Sequence, residues 1–398
     1  TSVDVSVDRV KALMDEVRAI EASPENQARR RLWQVMPPEA FQPAFIRTLP
    51  YRRPSGGKMP FVLEPALGLW AAWLGFDKRA YYTDPLTYLV AELEMKVHRA
   101  RHLPDDTYID KSFRLLIATA LEATLVGVPY HFTPEGHPWP DYLHPPVRDP
   151  EDLARLELPD FYATGLMPTI IRLYEEMRAL LDDDFLVKFP DWIMGPFGVA
   201  AELRGFDGLL VDMLQRPSFI EDLFAYIVAA RLHWQAACDR YLGITRTRGL
   251  LGNDDVNTPT LSPALYREMV LPWELQLCQA YGGIFYWHSC GDTSLVLADL
   301  ARLPVLDLVH VGPTTDVSRA AAVLGPRGVP LEICPDPITK VQQATPDQQR
   351  RFLEALVAQI PDELSCYIKV DSLEVIRTLG EELEIIQRWL DTARDVLG

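Results

Sequence analysis

The sequence predicts an α/β fold, a (β/α)8 TIM barrel with an N-terminal helical extension, and three observations predict it. From about residue 185 onward, short apolar runs of strand character alternate with amphipathic helical patterns. Six strand-then-helix units follow one another, and parallel neighbours in a sheet need the crossover that a helix supplies. Where these strands end stand residues of the types that ligate metals or move protons, and that rim is where such a barrel carries its site. A doubly wound open sheet is the alternative. The boundary read from the pattern is 1–60 for the extension and 61–398 for the barrel.

Taken in order, residues 1–48 read as helix, with Val10, Leu13, Met14, Val17 and Ile20 at helical spacing and SPEN at 23–26 as the cap before ENQARRRLWQVM. Arg29, Arg30 and Arg31 sit among helical positions and read as a solvated face. KMPFVLEP supplies a first strand, and DPLTYLVAELEMKVHRARH a long helix. The turn-rich TPEGHPWPDYLHPPVRDP reads as an excursion from the barrel. Then come the six units, whose strands are FLVKFPDWIM, TRGLLGNDD, GGIFYWHSCG, LDLVHVG, VPLEICPDP and SCYIKVDS. Among the helices that follow them are SPALYREMVLPWELQLCQAYG, DTSLVLADLARL, DVSRAAAVLG, TPDQQRRFLEALVAQI and GEELEIIQRWLDTARDVL. With KMPFVLEP and one further strand upstream, the count reaches eight.

Composition excludes several classes of function. A chain of 398 residues with 48% hydrophobic and 24% charged residues buries a sizeable core. Its net charge of −17 opposes nucleic-acid binding, which needs a basic face to displace phosphate counterions. No run of eighteen apolar residues exists, and the first thirty residues lack a signal-peptide core, so the expected location is cytoplasmic, away from membranes. Five scattered cysteines do not form a disulfide framework and read as reduced thiols able to ligate metal. The nucleotide-binding patterns Gly-x-Gly-x-x-Gly and Gly-x-x-x-x-Gly-Lys-Ser/Thr are absent, as is the hydrolase elbow Gly-x-Ser-x-Gly.

The strand ends carry Asp191 and Trp192, then Asn253, Asp254 and Asp255, then His288 and Cys290, His310, Glu332 and Cys334, and finally Asp371. His288 and Cys290, two residues apart, share one side of an extended strand and point into one mouth, and zinc takes imidazole and thiolate together. The plainer account is a buried histidine bonded to backbone beside an inert thiol. For a third ligand, Cys334 ends its strand at the same rim, whereas Cys366 opens its strand roughly 16 Å below the end, at about 3.3 Å per residue. Strand polarity therefore favours Cys334, with Glu332 or Asp371 completing the set. Asn253, Asp254 and Asp255 are candidates to orient substrate or donate a proton, provided crowding raises one carboxylate, and otherwise they cap a helix or close a loop. Trp192, Tyr286 and His310 are candidate substrate contacts.

The stretch LGNDDVNTPTLSPALYREMVLPWELQLCQAYGGIFYWHSCGD resembles the uroporphyrinogen decarboxylase superfamily, in its branch of cobalamin-dependent methyltransferases. An acidic strand end, a Ser-Pro-x-x-Tyr helix start and a His-Ser-Cys-Gly strand end follow in that family's order. LDLVHVGPTTDVSRAAAVLGPRGVPLEICPDP continues the likeness, with ICPDP where the decarboxylases carry a Gly-Asn-x-Asp-Pro turn. The likeness covers about 185–398 and is thin before 150. It implies a single barrel with an N-terminal helical extension. For members with His-x-Cys and a distant cysteine it implies bound zinc and methyl transfer to or from a corrinoid protein. In those members the distant cysteine ends the last strand, where this chain has Asp371, while Cys366 matches in sequence distance.

The N-terminal Arg-x-Pro signature that would clamp a porphyrin's carboxylates is not seen. Arg52, Arg53 and Lys58 are candidates for an anion-binding role in its place, against the simpler reading as exposed loop charges. The expected function is thus a zinc-dependent methyltransferase moving a methyl group from a small O-methyl compound, such as a methoxylated aromatic, to the cobamide of a corrinoid protein. The alternatives are the opposite direction, from methylcobamide to a thiol, and a metal-free decarboxylase. No Asp-x-His-x-x-Gly cobalamin motif is present, so a partner is expected to carry the cobamide. The sequence leaves the oligomeric state open, and a homodimer is one state it allows.

Overall fold

Eight parallel strands follow in chain order in the computed structural model, which describes residues 4–34, 49–50, 58–115 and 120–398. They are β1 (Phe61–Pro65), β2 (Ser112–Arg114), β3 (Leu186–Lys188), β4 (Gly249–Gly252), β5 (Ile284–His288), β6 (Leu306–Val311), β7 (Leu331–Ile333) and β8 (Cys366–Leu373). Six pair edge to edge in the order β1-β8-β7-β6-β5-β4, and β2 pairs with β3. The last strand lying against the first, Ile368 opposite Phe61 and Lys369 opposite Val62, is what closing a sheet on itself requires.

Two seams join the six strands to the pair, and neither is an ordinary ladder. Between β3 and β4 a single bridge links Met194 to Gly252, with Gly252 N donating to Ile193 O and Gly195 N to Gly252 O. Buried Arg231 reinforces it by donating to Leu250 O at 2.6 Å and to Met194 O at 3.1 Å. Between β1 and β2 the ladder is replaced by carboxylates: Phe61 N donates to Asp106 Oδ2 and Leu63 N to Asp105 Oδ2. Arg99 Nη1 donates to Leu63 O at 2.8 Å. Main-chain donors and acceptors left unpaired in a closed interior are costly, so both seams are filled by side chains.

Strand periodicity sorts the side chains into two cores. Ile284, Trp287, Val309, Leu331, Ile333, Cys366, Ile368 and Val370 face the covering helices, while Leu250, Tyr286, Leu308, Tyr367 and Val62 fill the barrel interior. An extra residue on β5 shifts the register, since Gly249 opposes Ile284 but Leu250 opposes Tyr286. The helices include Pro217–Leu242, Leu271–Tyr281, Pro346–Val357 and Leu379–Leu397. In the chain before the second of these, Tyr266–Val270 is π-helical just ahead of Pro272, which lacks the N–H that would continue an α pattern.

Several elements differ from the sequence pattern for local reasons. Helix Val7–Ala22 buries Val10, Leu13, Met14 and Val17, and Ser23 caps Pro24–Arg30 by accepting from Asn26 N. The helix expected to run on from there ends at Arg30, and Trp33 instead enters an extended bridge with residues 49–50, its indole donating to Asp106 O. DTSLVLADLARL yields a helix of only Leu297–Leu300, because Asp292 accepts from Ser294 N and Thr315 Oγ1 from Thr293 N, holding the start of the stretch as turns. The excursion at 133–150 begins within a hairpin, with Tyr130–Phe132 antiparallel to Pro138–Pro140. Among the described residues no helix is long and apolar enough to cross a membrane.

Candidate metal centre

The side chains that matter come from inward positions of four adjacent strands. β5 presents Tyr286 and His288 and leads to Cys290; β6 presents His310; β7 presents Glu332 and leads to Cys334; β8 presents Tyr367, Lys369 and Asp371. The register places Gly252 opposite His288, His310 opposite Glu332 and Glu332 opposite Tyr367, so the ends of β4 to β8 share one rim. Gly312 allows this crowding: a Cβ there would come within 2.7 Å of Cys290 O.

A hydroxyl and a carboxylate organise the group. Tyr286 OH lies 2.5 Å from Glu332 Oε1, 2.9 Å from His288 Nδ1 and 3.3 Å from His310 Nδ1. Glu332 Oε1 also lies 2.9 Å from His310 Nδ1, and Tyr367 OH donates to Glu332 Oε2. An ionised carboxylate only accepts, so His310 Nδ1 carries a proton toward it. The single Tyr286 proton goes to Glu332 as well, and Tyr286 therefore accepts from His288 Nδ1–H. Both imidazoles therefore hold an Nδ1 proton toward the hub and turn Nε2 away from it.

Electrostatics agree with that assignment. Burial pushes the Glu332 carboxyl up, but the Lys369 charge and the hydrogen bonds from His310 and Tyr286 outweigh it and hold the group well below the usual carboxylate range. Burial and the neighbouring His288 charge lower His310, keeping its imidazole neutral. Burial and the Glu332 charge push the Cys334 thiol well up.

At the open side, His288 Nε2 is 3.1 Å from Cys290 Sγ and 3.1 Å from Asp254 Oδ1, which also accepts from Cys290 N at 3.0 Å. Burial pushes His288 down, yet Asp254 and Cys290 bring it up to about 10. His288, Cys290 and His310 offer ligand atoms within 4.8 Å of one another, and so do His310, Glu332 and Cys334. His310 Nε2 is buried without a hydrogen-bond partner. A mixed nitrogen and sulfur set with a lone pair left over fits a zinc ion.

A cavity of about 340 Å³ adjoins this group on the β1 and β8 side. Glu332, Tyr367, Lys369 and Asp371 belong to its wall as well as to the cluster, and Trp33 and Tyr108 add flat apolar surface. Trp33 and Tyr367 meet edge to face with centroids 5.1 Å apart.

The structure relocates several residues expected at the mouth. Trp192 lies in the outer core beside Trp234, its Nε1 bonded to Met194 O, because the chain past β3 is irregular and strand parity no longer applies. Tyr286 is fully buried as the hub under the two histidines, and His310 stands beside it; neither lines the adjoining cavity. Asn253 turns away from the mouth to donate to Glu274 Oε1, a carboxylate that also accepts from Tyr266 OH and Trp287 Nε1. Asp191 is paired with Arg246 at 2.7 Å. Asp254 reaches the histidine and cysteine, while Asp255 turns toward Gly198, with its Oδ2 3.7 Å from where a Cβ there would sit. Lys58 is tied to Asp106 at 2.6 Å, and Arg52 and Arg53 lie outside the described residues. Cys366 faces the outer core, opposite Leu331. Trp33, Tyr108 and Lys369 were not singled out from the sequence; of these only Lys369 carries a signal, the alternation of Tyr367, Lys369 and Asp371 on one face of β8.

The family model described as "Uroporphyrinogen decarboxylase (URO-D)" matches residues 81–332, well over half of the chain. The chain belongs to the uroporphyrinogen decarboxylase family. The match begins about a hundred residues before the 185–398 region that the sequence likeness covers, so the helix Pro85–His102 falls within the matched region too. Among solved structures, a methyltransferase from Methanosarcina mazei is similar in fold, with a TM-score of 0.58 at 14% identity, covering 84% of this chain and 94% of that one. No curated protein sequence matches this chain.

Proposed function

We propose that this member of the uroporphyrinogen decarboxylase family is a zinc-dependent methyltransferase that moves a methyl group from a small O-methyl compound, a methoxylated aromatic, to the cobamide of a separate corrinoid protein. The observation that carries the reading is the meeting of His288, Cys290 and the unpartnered His310 Nε2 at one rim beside an aromatic-walled cavity. The fold likeness to a protein described as a methyltransferase supports it. Zinc held there would supply Lewis acidity to the ether oxygen as the carbon–oxygen bond breaks.

The chain's own residues have separable tasks. Trp33, Tyr108 and Tyr367 offer a flat ring an aromatic wall. Asp254 fixes Cys290 and His288 through its two contacts. Asp255, whose carboxyl is raised by burial and by the Asp254 charge, is in this reading the proton donor to the departing oxygen, which requires its side chain to turn from Gly198 toward the mouth. The methyl carbon leaves that oxygen for the reduced cobalt of the partner, and the oxygen takes a proton to become the free alcohol or phenol.

Zinc-loaded protein mixed with a methoxylated aromatic should leave it intact until reduced corrinoid protein is added, whereupon methylcobamide and the demethylated product appear together. Asp255→Asn should slow that transfer by ~10²- to 10⁴-fold while leaving zinc bound. Release of carbon dioxide from a carboxylated ring by metal-stripped protein without a corrinoid would assign the chain to decarboxylation instead.

A further inference from the structure

We propose that His310, through Nε2, is the third protein ligand of the metal and that Cys334 is not a ligand. The inference rests on the zinc reading above and names the site's ligand set. Both Nδ1 atoms converge on Tyr286 OH, at 2.9 Å for His288 and 3.3 Å for His310, so both Nε2 atoms point away from that hydroxyl. The two rings lie side by side with centroids 4.1 Å apart. His288 Nε2 has Cys290 Sγ at 3.1 Å, and His310 Nε2 is buried with nothing to bond. An imidazole whose Nδ1–H is held by a carboxylate is oriented as a metal-bound histidine is, which makes Glu332 a positioning residue.

Cys334 is on the other side of the ring. Its Sγ is 3.6 Å from His310 Nδ1 and shares a cluster with His310 and Glu332, but not with His288 and Cys290. Cys366, the other thiol weighed for this place, faces the outer core.

The ligand set has a chemical consequence. Two thiolates would neutralise a zinc ion, whereas one thiolate and two neutral imidazoles leave it with a net positive charge. Such an ion polarises a bound oxygen more strongly and makes a bound thiolate a poorer nucleophile. The set therefore favours removing methyl from an ether over delivering it to a thiol.

X-ray absorption at the zinc edge of the zinc-loaded, unmodified protein should show one sulfur at about 2.3 Å and nitrogen or oxygen at about 2.0–2.1 Å. In competition with a chelator, Cys290→Ser and His310→Ala should weaken zinc binding by more than ~10²-fold. Glu332→Gln should cost ~10- to 100-fold, and Cys334→Ser should stay near the unmodified protein. Two sulfurs in the absorption spectrum, with Cys334→Ser as damaging as Cys290→Ser, would overturn the assignment and leave the zinc reading standing. Protein that takes up no zinc under any loading condition would overturn both. The absorption measurement needs no variant, so it decides the matter even if His310→Ala does not fold.

Discussion

Glu274 is a carboxylate with no solvent exposure that accepts from Asn253 Nδ2, Tyr266 OH and Trp287 Nε1. Burial raises it from 4.5 to about 7, against those three hydrogen bonds, which favour the charged form. A carboxyl whose folded value lies above its unfolded value binds its proton more tightly in the folded chain, so its contribution to stability is lost as pH rises from about 4.5 through about 7. The full difference corresponds to a loss on the order of 3 kcal/mol. Glu274→Gln keeps an acceptor in place and removes the titration, and its unfolding free energy should fall less steeply between pH 5 and 8 than that of the unmodified protein. An equal fall in unfolding free energy between pH 5 and 8 for the two proteins, each read from urea titrations, would remove Glu274 from the account. At this scale the sequence showed the residue types but not their direction. Asn253, Asp254 and Asp255 are consecutive, and the end of β4 splits them three ways: Asn253 outward to Glu274, Asp254 to His288, Asp255 to Gly198. No periodicity survives past a strand's last residue, so nothing in the string Asn-Asp-Asp distinguishes the three.

Seven of the strands were legible because each is a short apolar run between turns, and they fall within or next to the stretches read for them; β2, Ser112–Arg114, is the further strand whose place was not read, a three-residue piece with polar residues at both ends. The seams were not legible. LPDDTYID reads as a polar loop, yet Asp105 and Asp106 cap the free edge of β1, and Arg231 reads as one polar residue on a helix although its guanidinium ties β4 to the segment after β3. Such contacts join residues far apart in the chain, where pattern reading has no reach. Arg231 is 1% exposed and donates to two main-chain carbonyls and to Tyr281 OH. Arg231→Met preserves much of the side chain's bulk and leaves those acceptors unsatisfied, so it should destabilise the protein by about 3 kcal/mol, read as a lower urea midpoint. A midpoint within error of the unmodified protein would mean that the seam does not depend on this residue.

For the molecule as a whole, the parity of the strands explains both what the sequence revealed of the centre and what it hid. Tyr286 and His288, Leu308 and His310, Glu332, and Tyr367 with Lys369 alternate with outward residues, so a mouth shared by His288, Cys290, His310 and Cys334 could be read from strand ends alone. That two histidines would share one hydroxyl and one carboxylate depends on the register between β5, β6 and β7, which no single strand encodes. The same register implies that the site exists before any ion enters. Its hub is closed by Tyr286, Tyr367, Glu332 and Lys369, and the strands that carry it sit between two apolar cores. A zinc finger, by contrast, has no core and unfolds when its metal is removed. On the zinc reading proposed above, stripping the ion with a chelator should therefore leave the far-ultraviolet circular dichroism unchanged. Adding zinc back should raise the unfolding temperature in proportion to the logarithm of its concentration, equivalent to ~2.7 kcal/mol at a hundred times Kd. Loss of helical signal on chelation would show instead that the ion organises the ends of β5 to β7, and that the hydrogen-bonded hub cannot hold them by itself.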